Sequence, residues 1–241
     1  MMFFLMPIGW ILFIYISAAV IPAVFLMRYI YQMDTVEKEP PELLWSLAGQ
    51  GVIAALISIV LEMIGEAILN HSKISSGSPT YVILLAFLVV AAAEEGSKYV
   101  LLYRRTWNDP NFNYRFDGVV YAAFVSLGFA AFENVKYVFD YGLTVAFPRA
   151  ILSIPGHLGF AVVFGCFYGR ARLCADRGER GRSAVNLAAG YLLAVFLHGF
   201  YDSCAMIGTG LSTVVFVLFV AVMYIVVFQL LRHESRTDEP V

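Results

Sequence analysis

The chain has 241 residues, of which 60 % are hydrophobic and only 14 % charged. A soluble domain carries about a quarter charged residues, so lipid is the expected solvent. A net charge of −2 points to no nucleic-acid partner and no acidic substrate. The 3 cysteines, Cys166, Cys174 and Cys204, are odd in number and lack CxxC spacing. They argue against a disulfide framework or a thiolate zinc site and read as small apolar residues.

In chain order, the first element is an uncharged 25-residue run from Phe3 to Met27. It has no basic leader and exceeds the apolar core of a signal peptide, so it reads as a retained membrane helix. Six further stretches are long enough to cross about 30 Å of hydrocarbon. They are Leu43–Leu69, Tyr81–Tyr103, Gly118–Phe139, Phe147–Gly169, Ser183–Ala205 and Leu211–Leu231. Turn formers or charges separate them, as in Glu39-Pro40-Pro41 and Ser75-Ser76-Gly77-Ser78-Pro79. With no long soluble segment or internal repeat, 1–241 reads as a single membrane-embedded domain with its core at 34–205. The expected fold is all-α, a polytopic transmembrane bundle of seven spans.

Basic residues predict its orientation. Arg28, Lys38, Arg104, Arg105, Arg115, Arg170, Arg172, Arg177, Arg180, Arg182, Arg232 and Arg236 all fall on one side of a seven-span arrangement. Lys73, Lys136 and Arg149 fall on the other. The positive-inside rule then puts the N-terminus outside and the C-terminus in the cytoplasm.

Several polar residues interrupt the apolar spans. Span 3 carries Glu94, Glu95 and Lys98, span 4 Glu133 and Asn134, span 5 His157 after Pro155-Gly156, and span 6 His198 and Asp202. A charged residue at a helix centre costs about 2.5–3.5 kcal/mol on insertion scales, so such groups must be paired, neutralised or hydrated. They are functional candidates by default. Each has a structural alternative. Glu94 and Lys98, four apart, suit an intrahelical pair, which leaves Glu95 free on a neighbouring face. Glu133 lies close enough to its helix exit to reach water, and His157 suits helix packing at a kink. His198 and Asp202 share a face, so the carboxylate can hold the imidazole's tautomer. Glu62 and Glu66, near the far end of span 2, read as reaching the interface. Carboxylates and imidazoles on four helices resemble the inward ligands of a bundle site, and converging groups of this kind can activate water.

These residues resemble the PrsW family of intramembrane proteases, related to the CAAX prenyl proteases. The resemblance runs from Asp34-Thr35-Val36-Glu37-Lys38-Glu39-Pro40 through Glu94-Glu95-x-x-Lys98 and Phe116-Asp117-Gly118 on to Phe129 and Glu133-Asn134. Pro155-Gly156-His157 and His198-Gly199-Phe200-Tyr201-Asp202 follow in order. It implies cleavage of a membrane-tethered protein, with anti-sigma factors the substrate class, by a multi-pass protein of the cell membrane. Glu94, Glu95 and His198 would be the catalytic core, supported by Lys98, Glu133, Asn134, His157 and Asp202. Where CAAX proteases carry a histidine in an FxxxH motif, this chain has Glu133 after Phe129.

One glutamate would activate water, while His198, oriented by Asp202, stabilises the oxyanion or protonates the leaving amine. Helix geometry pairs Glu94 with Lys98 and favours Glu95 as the base, whereas resemblance to the CAAX enzymes favours Glu94, with Glu95 reaching the Lys98 cation at i+3. Two versions stay open. A metal such as zinc would take His157, His198 and a carboxylate from Glu133 or span 3, a ligand set used by catalytic zinc. Without a metal, glutamate acts on water directly and the histidines bind the carbonyl oxygen. The competing function is an ion-coupled transporter, which also needs intramembrane carboxylates but usually shows repeated halves.

By depth, the site is expected to open toward the outer half of the membrane. That requires span 3 to continue through Arg104 and Arg105, or to tilt.

Overall fold

The computed structural model describes residues 7–241. Among these residues seven helices are long and apolar enough to cross a membrane: Ile8–Met33, Pro41–Asn70, Pro79–Thr106, Asp117–Tyr141, Leu143–Asp176, Arg180–Ile207 and Gly210–Arg236, here spans 1 to 7. The expected beginning of span 1 at Phe3 lies outside the described residues. No strand forms among them, and one isolated bridge pairs Tyr114 with Pro240. The protein is a multi-pass, all-α membrane protein.

Spans 2 to 7 run further than hydropathy predicts, because helix continues into the polar flanks. Arg104 and Arg105 form the last turn of span 3, where cations suit the helix dipole. Local chemistry sets the ends. Pro41 and Pro79 open spans 2 and 3 at the position where a missing N–H costs nothing. Ser78 caps span 3 by accepting the Tyr81 N–H at 3.2 Å. Gly142 and Gly208, at φ 84° and 65°, stop spans 4 and 6 in conformations that favour glycine.

Span 4 is the axis of the bundle. Of its most apolar stretch 78 % is buried, against 17 % in spans 1 and 2, whose outward faces carry exposed Phe25, Leu56 and Met63. Small residues allow this encirclement. A Cβ on Gly128 would lie 2.1 Å from the Ala48 carbonyl oxygen, so spans 2 and 4 meet backbone to backbone. Gly165 and Gly169 do the same for span 5 against the start of span 4.

Two helices depart from regular α geometry beside the polar residues. In span 3, Leu85–Ala91 is a π-helix, whose wider turn rotates the following residues relative to a regular helix. In span 5 the expected kink at Pro155-Gly156 appears earlier, at Leu152 (φ −107°, ψ −60°). The proline ring acts on the residue four back and leaves the Ile151 carbonyl without its N–H. The Tyr224 hydroxyl of span 7 donates to that carbonyl at 2.6 Å, which replaces the lost backbone donor.

Candidate active site

The turn after the π segment presents Glu94, Glu95 and Lys98, all buried. The Lys98 ammonium donates to Glu94 Oε2 at 3.2 Å and to Glu95 Oε1 at 2.9 Å. Of the two pairings expected for Lys98, with Glu94 or with Glu95, both form, and Glu95 is not left free: the long lysine stem reaches both the i−3 and i−4 neighbours. The ammonium also lies 3.2 Å from His157 Nδ1 and 3.9 Å from the centre of the Phe129 ring. A charged lysine makes His157 Nδ1 an acceptor and leaves Nε2–H to donate to Glu133 Oε2, 3.0 Å away. Ser126 of span 4 donates to the His157 carbonyl at 2.9 Å.

Span 6 supplies the fourth wall. A Cβ on Gly199 would lie 2.6 Å from the Phe87 ring of the π segment, so only glycine permits this approach. The adjacent His198 consequently sits with Nδ1 2.9 Å from Glu95 Oε1. Its Nε2 lies 3.3 Å from Asp202 Oδ2 and 3.9 Å from Glu94 Oε2. Phe160 stacks on the imidazole at 4.9 Å between centres. The i, i+4 spacing of His198 and Asp202 thus places them side by side.

Glu133 keeps 21 % of its side chain exposed and lines the adjoining cavity. It pairs with Arg149 Nη2 at 2.9 Å as well as with His157. Asn134 accepts from Arg149 Nε at 2.8 Å and donates to the Ala19 carbonyl of span 1 at the same distance, so it anchors Arg149. Sequence reasoning counted Arg149 only as a loop charge. Its signal was a lone cation six residues before Pro155.

A cavity of about 540 Å³ adjoins this cluster, walled by spans 2 to 7 and including Glu94, Glu133, His157, His198 and Asp202. Glu95 and Lys98 line instead a small recess of about 20 Å³ behind them. The site is therefore layered, with Glu94 and the histidines toward the cavity and Glu95 and Lys98 behind. Glu62, expected at the interface, also lines the cavity, while Glu66 is exposed and does not.

Glu94, Glu95, His157 and His198 could together hold a metal ion, since one ligand atom from each lies within 4.8 Å of the others. Glu133 is outside this group and occupies the second nitrogen of His157, where a metal-binding histidine commonly holds a carboxylate. Two imidazoles and two carboxylates fit a divalent cation chemically. Lys98 already contacts three of the four, so its ammonium must withdraw for such an ion to bind.

The sequence family described as PrsW family intramembrane metalloprotease matches residues 39–230. Protease PrsW of Geobacillus kaustophilus is 32 % identical over 191 residues, 79 % of each chain. Protease PrsW of Oceanobacillus iheyensis is 28 % identical over 221 residues, 92 % of this chain and 96 % of that one. Protease PrsW of Bacillus subtilis is 30 % identical over 191 residues, covering 79 % and 82 %. No solved structure matches the chain.

Proposed function

Because this chain belongs to the PrsW family of intramembrane metalloproteases, and is thereby a peptide hydrolase, we propose that it cuts a membrane-tethered protein of the anti-sigma-factor kind in the cell membrane, using Glu94, Glu95 and His198. The observation that carries this reading is the layering of the site. A cavity large enough for an extended peptide segment meets a carboxylate and an imidazole, and a buried ion-pair cluster fixes both from behind.

Glu94 is the better placed base, since it lines the cavity and Glu95 does not. Its carboxylate takes a proton from water as the water attacks the scissile carbonyl. His198 faces carboxylates from both ring nitrogens. Its Nδ1 is committed to Glu95 at 2.9 Å, whereas the contacts at Nε2 are 3.3 and 3.9 Å, longer than a charge-assisted hydrogen bond. Nε2 is thus the nitrogen open to the developing oxyanion or the leaving amine. Both nitrogens of His157 are engaged, so it positions Lys98 and Glu133. A divalent ion held by His157, His198 and a span 3 carboxylate would add Lewis acidity at the same carbonyl.

The orientation is part of the proposal: the Arg-rich loops face the cytoplasm and the cavity serves the outer half of the membrane. Span 3 reaches Thr106, which puts Glu94 about 18 Å from that end and reduces the depth mismatch with Glu133 and His198. The test co-expresses single-pass anti-sigma-like proteins with wild type and with a Glu94→Ala/Glu95→Ala double variant. Cleavage is expected only with wild type. Equal cleavage by both would defeat the catalytic assignment, and cysteine labelling of the span 5–span 6 loop from outside would defeat the orientation.

A further inference from the structure

Glu62 belongs to none of the motifs that carry the family resemblance, yet it faces the reaction cavity. Ala55, Ser58, Ile59 and Glu62 all line it, and this spacing of three, four and seven residues is one face of a helix. Its height follows from the packing of spans 2 and 3, which run antiparallel across a short loop. A Cβ on Gly65 would lie 2.7 Å from the Val89 side chain. One turn back along span 2 from that contact is Glu62, and one turn forward along span 3 is the residue pair before Glu94. The Glu62 carboxyl therefore enters the cavity near the level of Glu94.

The other charges on this wall have opposite charges beside them. Glu94 faces Lys98, Glu133 faces Arg149, Asp202 faces His198, and Lys136 faces Asp140. Glu62 has no ion-pair partner among the described residues. A carboxylate in a membrane cavity gains much from a cation brought to it, because few water dipoles compete there. A substrate lysine or arginine entering the cavity supplies that cation.

We infer that Glu62 is a specificity residue, receiving a basic side chain of the substrate next to the scissile bond. This rests on the hydrolytic reading above. Glu66, one turn on, is exposed and absent from the cavity wall, which makes it a matched control on the same helix.

The test uses the purified full-length protein in lipid nanodiscs and a cleavable single-pass reporter. Lysine, glutamine or glutamate is placed in turn at each position flanking the mapped cut. For wild type, lysine at one such position is expected to lower KM about tenfold relative to glutamine, the scale of one close charge pair. Glu62→Gln removes that difference, so that the lysine and glutamine reporters give the same KM. Glu62→Lys shifts the preference to glutamate, and Glu62→Asp and Glu66→Gln keep the wild-type preference. Wild-type cleavage without a charge preference, or a preference unchanged in Glu62→Gln, overturns the inference and leaves the hydrolytic reading standing. Cleavage undiminished by Glu94→Ala and His198→Ala overturns that reading instead.

Discussion

Glu94 and Glu95 share the ammonium of Lys98 deep in span 3, whereas Glu39 before span 2 and Asp117 at the start of span 4 meet neutral donors. The Tyr121 hydroxyl donates to Glu39 Oε2 at 2.7 Å, and the backbone N–H groups of Asn113 and Tyr114 donate to Asp117 Oδ2. Nearby Asp34 is buried with Oδ2 lacking a hydrogen-bond partner. Both clusters are buried carboxylates in motifs that resemble one family, but in the first Glu94 lines the reaction cavity and shares a buried ammonium with Glu95, whereas Glu39 and Asp117 are held by hydroxyl and backbone donors. The second ties the Asp34–Pro40 loop to the bundle. Burial of an acid is thus not what marks a reaction site here. A compensated charge facing open space is.

The largest expected effect separates the clusters by catalysis. Glu94→Ala, Glu95→Ala and His198→Ala should each lower kcat by about 10²–10⁴, the range for a lost general acid or base, with insertion preserved. Glu39→Gln and Asp117→Asn should leave turnover near wild type in a reconstituted cleavage assay. Full activity in folded His198→Ala enzyme would remove its hydrolytic role, and an Asp117→Asn variant as dead as Glu94→Ala would erase the distinction.

Next in size is stability. Lys98→Met leaves two carboxylates facing each other without a cation and should cost about 3–5 kcal/mol, read as a lower Tm in detergent. Adding Glu95→Gln should recover part of that loss. The same variant sharpens the metal question, because the ammonium contacts three of the four candidate ligands. Lys98→Met should retain zinc more tightly than wild type after equilibrium dialysis, and His157→Ala should retain less. Equal zinc content in all three proteins would mean that Lys98 and a metal do not compete.

How far these contrasts were legible in the sequence depends on their range. The seven spans follow from hydropathy because lipid imposes a length. Polar residues on separate spans stand out because insertion penalises them, and the His198–Asp202 pair follows from helical spacing. Spacing offered Glu94 or Glu95 as the partner of Lys98 but not both at once, because it names neighbours and not rotamers. The Arg149–Glu133 pair and the place of Glu62 on the cavity wall were not legible because they depend on long-range events, the break at Leu152 and the Gly65–Val89 contact, which no local pattern records. The π segment is equally silent, since Leu85–Ala91 reads as ordinary apolar helix.

The smallest expected effect concerns the loop cluster and depends on pH. Burial pushes the Glu39 carboxyl up to about 7, opposed by the Tyr121 hydrogen bond and reinforced by Asp34 and Glu37. Burial likewise pushes Asp34 up to about 6, with Lys38 opposing and Asp238 adding to it. A raised folded-state pKa means that the folded protein holds the proton more tightly than the unfolded chain. The stability contributed by Glu39 is therefore complete below its ordinary value near 4.5 and is lost as pH rises through about 7. With the intrinsic base-catalysed exchange rate divided out, the protection of the residue 34–39 amides should accordingly fall between about pH 5 and pH 8. Glu39→Gln keeps a neutral acceptor for Tyr121 and removes the titration. It should flatten that profile and, at the alkaline end, stabilise the protein by on the order of 1–2 kcal/mol. A Glu39→Gln protein whose loop exchanges with the wild-type pH profile would show that another group holds this end of the bundle.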